Sequence, residues 1–253
     1  MSKAILVVSF GTTHPDTLEK TICAIEGDLA AAFPERKLYR AFTSGMVIRR
    51  LRGSAGMQID TPAEALTRML SDGVTDVLVQ PTHIINGEEY ETLVSAVEEY
   101  RAKFAHIRLG TPLLTGLADY LQLASILAEE IPEEPGTACV LMGHGSSHYA
   151  NSAYTQLEYA LHDLGRQDIL IGTVEGYPGP DEILRRLKER NIRTVELRPL
   201  LIVAGDHAKN DMSGGAPDSW RSRIAAAGYE VRCLLKGLGE YPAVRAMFAA
   251  HAG

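Results

Sequence analysis

Val140-Leu-Met-Gly-His-Gly-Ser-Ser-His148 reads as a buried strand that runs into a glycine-rich turn and then into a helix. Gly143 and Gly145 flank His144 and leave room for close backbone approach. Open α/β sheets place their sites at the carboxyl ends of parallel strands. Two further groups follow apolar runs in the same way. Glu175 follows Ile169–Val174, and His207 follows Val195–Val203 and the turn Ala204-Gly-Asp206. Three strand ends carrying His, Glu and His make a metal site of imidazole and carboxylate ligands. Taken singly, each has an ordinary explanation: a solvated turn residue, an arginine partner, a helix cap. The coincidence of three, on a duplicated plan, favours ligands.

Outward from this stretch the chain alternates strands and helices, which predicts parallel sheets with right-handed crossovers. Expected strands in the first half are Ala4–Ser9, Leu38–Phe42, Val77–Ile85 and Ile107–Leu109. In the second half they are Ala138–Met142, Ile169–Val174, Val195–Val203 and Glu230–Leu235. The runs are continuously apolar, as in sheets covered on both faces. Leu18, Ile22, Ile25, Leu29 and Phe33 recur at helical spacing, and Thr61-Pro-Ala-Glu64 is a capping box with proline at the first helical position. Pro132-Glu-Glu-Pro-Gly136 is the best linker, so two α/β lobes are expected at 1–132 and 137–253, with the last helix free to pack back on the first lobe.

The halves also resemble each other. Ser9-Phe-Gly-Thr-Thr-His14 aligns with Gly143-His-Gly-Ser-Ser-His148 at an offset of 134. Thr61-Pro-Ala-Glu64 aligns with Gly179-Pro-Asp-Glu182, and Val77–Pro81 with Val195–Pro199, both at an offset of 118. The first half therefore holds 134 − 118 = 16 surplus residues, which fit Ser44–Asp60. Duplication accounts for the ordered sharing of proline, glutamate and glycine. It places Phe10 opposite His144 and Glu89 opposite His207.

Composition narrows the function. The chain has 253 residues, 45% of them hydrophobic, enough for a sizeable core. A net charge of −7 argues against nucleic-acid binding. No apolar stretch approaches a membrane span, and the first apolar run, Ala4–Phe10, reads as a strand and not as a signal peptide. A cytoplasmic protein is expected. Cys23, Cys139 and Cys233 form no C-x-x-C pair and read as buried thiols. The turn at His144 is neither a G-x-G-x-x-G fingerprint nor a P-loop, so no nucleotide is expected, and it is not the G-x-S-x-G of a serine hydrolase. His14, His83 and His148 are assigned structural or solvent roles, and His106, His162 and His251 surfaces.

Five stretches carry a family likeness. They are Val7-Val-Ser-Phe-Gly-Thr12, Arg40-Ala-Phe-Thr-Ser-Gly-Met46, His83-Ile-Ile-Asn-Gly-Glu-Glu-Tyr90, Met142-Gly-His-Gly145 and Val203-Ala-Gly-Asp-His-Ala-Lys-Asn-Asp-Met212. In this order and spacing the chain resembles the anaerobic sirohydrochlorin cobaltochelatases, class II chelatases related in fold to the ferrochelatases. The resemblance implies two similar lobes and insertion of Co²⁺, the substrate metal, into sirohydrochlorin or precorrin-2 in cobalamin biosynthesis. It also implies a homo-oligomer. By the same resemblance His144, Glu175 and His207 bind the metal, His144 accepts a proton, and Glu89 is the acidic residue of the His-Ile-Ile-Asn-Gly motif. A non-catalytic metal or tetrapyrrole binder, or a chelatase for Fe²⁺ or Ni²⁺, is the alternative. The substrate carries eight carboxylates against an acidic protein, so a local basic patch must reverse the sign. Arg49 and Arg52, in the surplus segment, are the expected carboxylate grips.

Overall fold

The computed structural model describes residues 2–54 and 57–253. Its elements run β1 (Lys3–Ser9), α1 (Pro15–Leu18), α2 (Ala24–Ala32), β2 (Lys37–Phe42), α3 (Gly45–Ser54), α4 (Pro62–Ser71), β3 (Asp76–Pro81), α5 (Glu88–Tyr100), β4 (His106–Leu109) and α6 (Leu117–Glu130). They continue β5 (Thr137–Gly143), α7 (Ser152–Asp163), β6 (Ile169–Thr173), α8 (Pro180–Lys188), β7 (Thr194–Leu200), α9 (Trp220–Ala226), β8 (Glu230–Cys233) and α10 (Pro242–Ala252). A π-helical turn, Glu19–Cys23, joins α1 to α2, and another, Ala208–Met212, follows His207. Proline stands in the first turn of α1, α4, α8 and α10, where its missing N–H has no helical partner to lose. At α4 the capping box closes in both directions: Glu64 N donates to Thr61 Oγ1 at 3.3 Å, and Thr61 N to Glu64 Oε2 at 2.8 Å.

The chain divides into two compact units, residues 1–115 with 239–253, and residues 116–238. Each has one four-stranded parallel sheet, in the order β2-β1-β3-β4 and β6-β5-β7-β8. The registers repeat. Lys3 pairs with Asp76 as Thr137 pairs with Thr194, which reproduces both sequence offsets, 134 and 118. Ile5 pairs with Leu38 and its equivalent Cys139 with Ile169, an offset of 169 − 38 = 131. The surplus is thus split: 134 − 131 = 3 residues precede β2 and 131 − 118 = 13 follow it. The thirteen accommodate α3, and positions 55 and 56 of that segment lie outside the described residues.

Helices cover both faces of each sheet, which is why the strands lack alternation. In the first unit Leu6, Val8, Leu66, Met69, Val79 and Leu93 form one buried cluster. In the second Val140, Met142, Leu170, Ile183, Leu197 and Trp220 do the same. An ion pair steadies the second unit beside β6. Glu158 of α7 accepts from Ile171 N at 2.5 Å and pairs with Arg186 of α8.

Three expectations need correction. The domain boundary is not at 132–136: α6 packs on α7, and Arg166 Nη1 donates to Ala128 O at 2.7 Å and Ile131 O at 2.8 Å, tying the helix and its end to the second unit. The last helix, α10, does pack back on the first unit, against α2 and β3, as the sequence reading allowed. Strand β3 ends at Pro81 and not at Ile85, and β7 ends at Leu200 and not at Val203. Beyond these points the apolar run leaves the sheet, and His83 O and Ile84 O accept from Leu113 N and Leu114 N instead. Finally, His162 and His251 are half-buried and not surface groups: His162 Nε2 lies 2.9 Å from Ile169 O.

Candidate metal centre

His144 stands one residue beyond β5, in a turn that only glycine permits. Gly145 has φ +81°, and a Cβ there would meet Gly176 N and Thr173 Cβ at 2.6 Å. A Cβ on Gly143 would meet the Tyr154 ring at 2.5 Å. Tyr154 is buried, and its hydroxyl takes the backbone amides of Gly145 and His144, while burial pushes its pKa up to about 12. Two bonds prolong the strand pairing into the loops: Val174 N donates to Gly143 O at 3.1 Å and Glu175 N to His144 O at 2.8 Å. The next residues are held through Asn151, whose Oδ1 accepts from Ser146 N at 3.0 Å and whose Nδ2 donates to Tyr177 O at 2.6 Å. His148 caps the following turn through Nδ1, accepting from Ala150 N at 3.2 Å.

These constraints bring His144, Glu175 and His207 together, each offering one donor atom, all within 4.8 Å of one another. His144 Nε2 lies 3.9 Å from Glu175 Oε1. The His144 and His207 rings are 4.8 Å apart between centroids and nearly perpendicular at 82°. Bonds of roughly 2.0–2.2 Å would hold any two ligands of one ion within about 4.4 Å of each other, so the set needs only a slight closure. Both imidazoles have an acceptor at Nδ1: Gly145 O at 2.9 Å for His144, and Asp211 Oδ2 at 2.7 Å for His207. A proton held at Nδ1 leaves Nε2 bare for an ion. All three side chains are partly exposed, as a site that loads and unloads an ion requires.

The first unit supplies an internal comparison. Thr43 N donates to Ser9 O at 2.9 Å and Ser44 N to Phe10 O at 3.2 Å, the same two bonds that Val174 and Glu175 make. Glu91 N donates to Gly87 O at 3.0 Å as Lys209 N does to Gly205 O at 2.9 Å. Phe10, Ser44 and Glu89 are therefore the structural counterparts of His144, Glu175 and His207. Ser44 escaped the sequence comparison because three of the surplus residues precede β2, so its offset to Glu175 is 131 and neither 134 nor 118. It is buried, and its Oγ lies 3.3 Å from Val47 N at the start of α3.

The other expected site residues all belong to the first unit. Phe10 is exposed at the end of β1, and Glu89 is exposed in the first turn of α5. Arg49 is exposed on α3. Arg52 is engaged: its Nη2 donates to Ile59 O at 3.1 Å and to Glu64 Oε2 at 3.3 Å. Tyr154, Asn151 and Asp211 were missed. Asp211 alone had a sequence signal, a carboxylate four residues after a histidine at the start of a helical segment.

The sequence profile of the cobalt chelatase (CbiK) family matches residues 3–252. The chain belongs to the cobalt chelatase family. It is 48% identical over 252 residues to the sirohydrochlorin cobaltochelatase of Salmonella typhimurium, covering 99% of this chain and 95% of that one. It is 36% identical over 243 residues to sirohydrochlorin cobaltochelatase CbiKC of Nitratidesulfovibrio vulgaris, covering 94% and 85%. Two solved structures share the fold. SirB from Bacillus subtilis with Fe³⁺ superposes with a TM-score of 0.66 at 17% identity, over 99% of this chain and 94% of that one. CbiX, the terminal enzyme of sirohaem biosynthesis in denitrifying bacteria, gives 0.58 at 20%, over 98% and 97%. A cobalt chelatase is thus a metal-inserting enzyme built on two similar parallel-sheet units. Among the described residues no helix is long and apolar enough to cross a membrane.

Proposed function

We propose that this cobalt chelatase inserts Co²⁺ into sirohydrochlorin, or into its reduced precursor precorrin-2, releasing two protons, as a cytoplasmic homo-oligomer in anaerobic cobalamin biosynthesis. The observation that carries the metal assignment is the convergence of His144, Glu175 and His207 within 4.8 Å. Two imidazoles and one carboxylate, without a thiolate, suit Co²⁺ and release it readily. The relatives' names favour cobalt over Fe²⁺ or Ni²⁺, which the same donors would accept.

Insertion requires the hydrated ion to shed water and two pyrrole N–H protons to leave. The three donors replace water on the ion one ligand at a time. Once the ion has moved to the macrocycle, His144 Nε2 is bare and takes a pyrrole proton, so its two roles are sequential. Histidine is the side chain most often used as a general base. Glu89 takes the second proton, and Phe10 packs on the macrocycle. Arg49 grips substrate carboxylates; Arg52 does so only in competition with Glu64, and otherwise holds the return of the surplus segment.

The test follows the absorbance of sirohydrochlorin with Co²⁺ and substoichiometric protein. Catalysis converts the whole pool of substrate, whereas a binder stops at stoichiometry. His207→Ala is expected to lose tight Co²⁺ binding with its circular dichroism unchanged, and His144→Ala to lose roughly 10²–10⁴ in rate while still binding tetrapyrrole. A His207→Ala protein that binds Co²⁺ like the parent refutes the ligand assignment.

A further inference from the structure

We infer that Asp211 is the positioning residue of the metal centre: its carboxylate holds the Nδ1 proton of His207 and so presents the imidazole to the ion through Nε2. The inference rests on the reading of His207 as a ligand. The pair is short, 2.7 Å between Nδ1 and Oδ2, as expected when a carboxylate accepts from an imidazole N–H. An unrestrained neutral imidazole divides itself between two tautomers, only one of which offers Nε2. A carboxylate behind the ring removes that ambiguity.

The backbone around the pair is unusual in the same place. The chain leaves Gly205 as a helix and widens at once into the π-helical turn Ala208–Met212, where Ser213 N donates to Ala208 O at 3.1 Å. Single π-helical turns occur frequently at functional sites. The duplicated unit shows what the scaffold alone requires. There the equivalent helix continues as regular α5, with no π-helical turn at the corresponding place. The widened turn that carries Asp211 is therefore not demanded by the fold the units share. Asp211 itself is 47% exposed, so its removal leaves the core intact.

The competing account is an ordinary exposed pair four residues apart, with no bearing on the ion. Tautomers separate the two. Protein labelled with ¹⁵N histidine, metal-free and at a pH where imidazole is neutral, reports each ring by its long-range ¹H–¹⁵N pattern, and the signal that vanishes in His207→Ala identifies His207. The expected parent pattern is the Nδ1–H form. In Asp211→Ala it moves toward Nε2–H, and Co²⁺ affinity, titrated directly, falls about 10–100-fold. Asp211→Asn keeps an acceptor oxygen and restores the Nδ1–H form. A parent His207 already in the Nε2–H form overturns the inference. So does an Asp211→Ala protein that keeps Nδ1–H, or whose Co²⁺ affinity stays within twofold of the parent. If instead His207→Ala binds Co²⁺ normally, it is the ligand assignment that fails, and the tautomer pattern still decides the pairing.

Discussion

Alanine at position 145 measures how tightly the turn that carries His144 is held. Gly145 has φ +81°, a region that costs an L-residue about 1–2 kcal/mol. Its new Cβ also falls 2.6 Å from Gly176 N and from Thr173 Cβ, neither of which is the end of a flexible side chain, so overpacking adds about 1–3 kcal/mol. Fewer unfolded conformations offset about 0.4–1 kcal/mol. The net loss is about 1–5 kcal/mol. Gly165 provides the control in the same unit: its φ is +87°, but a Cβ there meets nothing within 4 Å. Gly165→Ala pays only the backbone cost, about 1 kcal/mol. Thermal unfolding of the two variants should differ by at least about 2 °C, Gly145→Ala being the lower. Relief of the clash also shifts the turn, and misplacement by 1 Å costs on the order of 10²-fold in rate, so Gly145→Ala loses chelation while Gly165→Ala keeps it. Equal midpoints and equal rates would refute the claim that steric closure at Gly145 positions His144.

Burial holds the His83 pKa down to about 4, and among the described residues neither ring nitrogen has a hydrogen-bond partner. The unfolded chain binds this proton below about 6.5 and the folded chain does not, so stability falls with pH between 6.5 and 4, by about 2 kcal/mol at pH 5. Urea unfolding of His83→Leu should lack that slope; an unchanged slope rejects the assignment. Glu158→Ala leaves Arg186 half-buried without its carboxylate and Ile171 N without an acceptor, which should cost about 3 kcal/mol by urea titration. A loss under about 1 kcal/mol would class the pair with exposed ion pairs. Arg49→Ala should raise KM for sirohydrochlorin and flatten its salt dependence with Co²⁺ binding normal, and more so than Arg52→Ala. The reverse ranking would give the gripping role to Arg52.

Strand positions and the convergence of His144, Glu175 and His207 were legible because their signals are local. Fully buried strands write themselves as apolar runs, and Gly143 and Gly145 mark the turn at His144. Strand ends were not legible, since Ile84 and Leu201–Val203 remain apolar after the chain leaves the sheet. The allegiance of α6 depends on Arg166, some thirty-five residues away, reaching back to Ile131 O. Asp211 was visible as a residue, but its π-helical turn depends on packing that no short window of sequence contains. The counterpart of Glu175 was hidden for a different reason. Serine carries no ligand chemistry to mark it, and the surplus residues divide three to thirteen around β2.

Because α10 belongs to the first unit, that unit is the last to be completed at the ribosome. The chain between 116 and 238 is synthesised while the first sheet still waits for Val244, Met247, Phe248 and Ala252, all buried in the finished protein. At about 5–20 residues per second, translation from position 115 to 253 occupies roughly 7–28 s. Throughout that interval the surface of α2 and β3 that α10 will cover stays bare. The nascent chain thus carries an open apolar face for seconds, the kind of surface that chaperones hold.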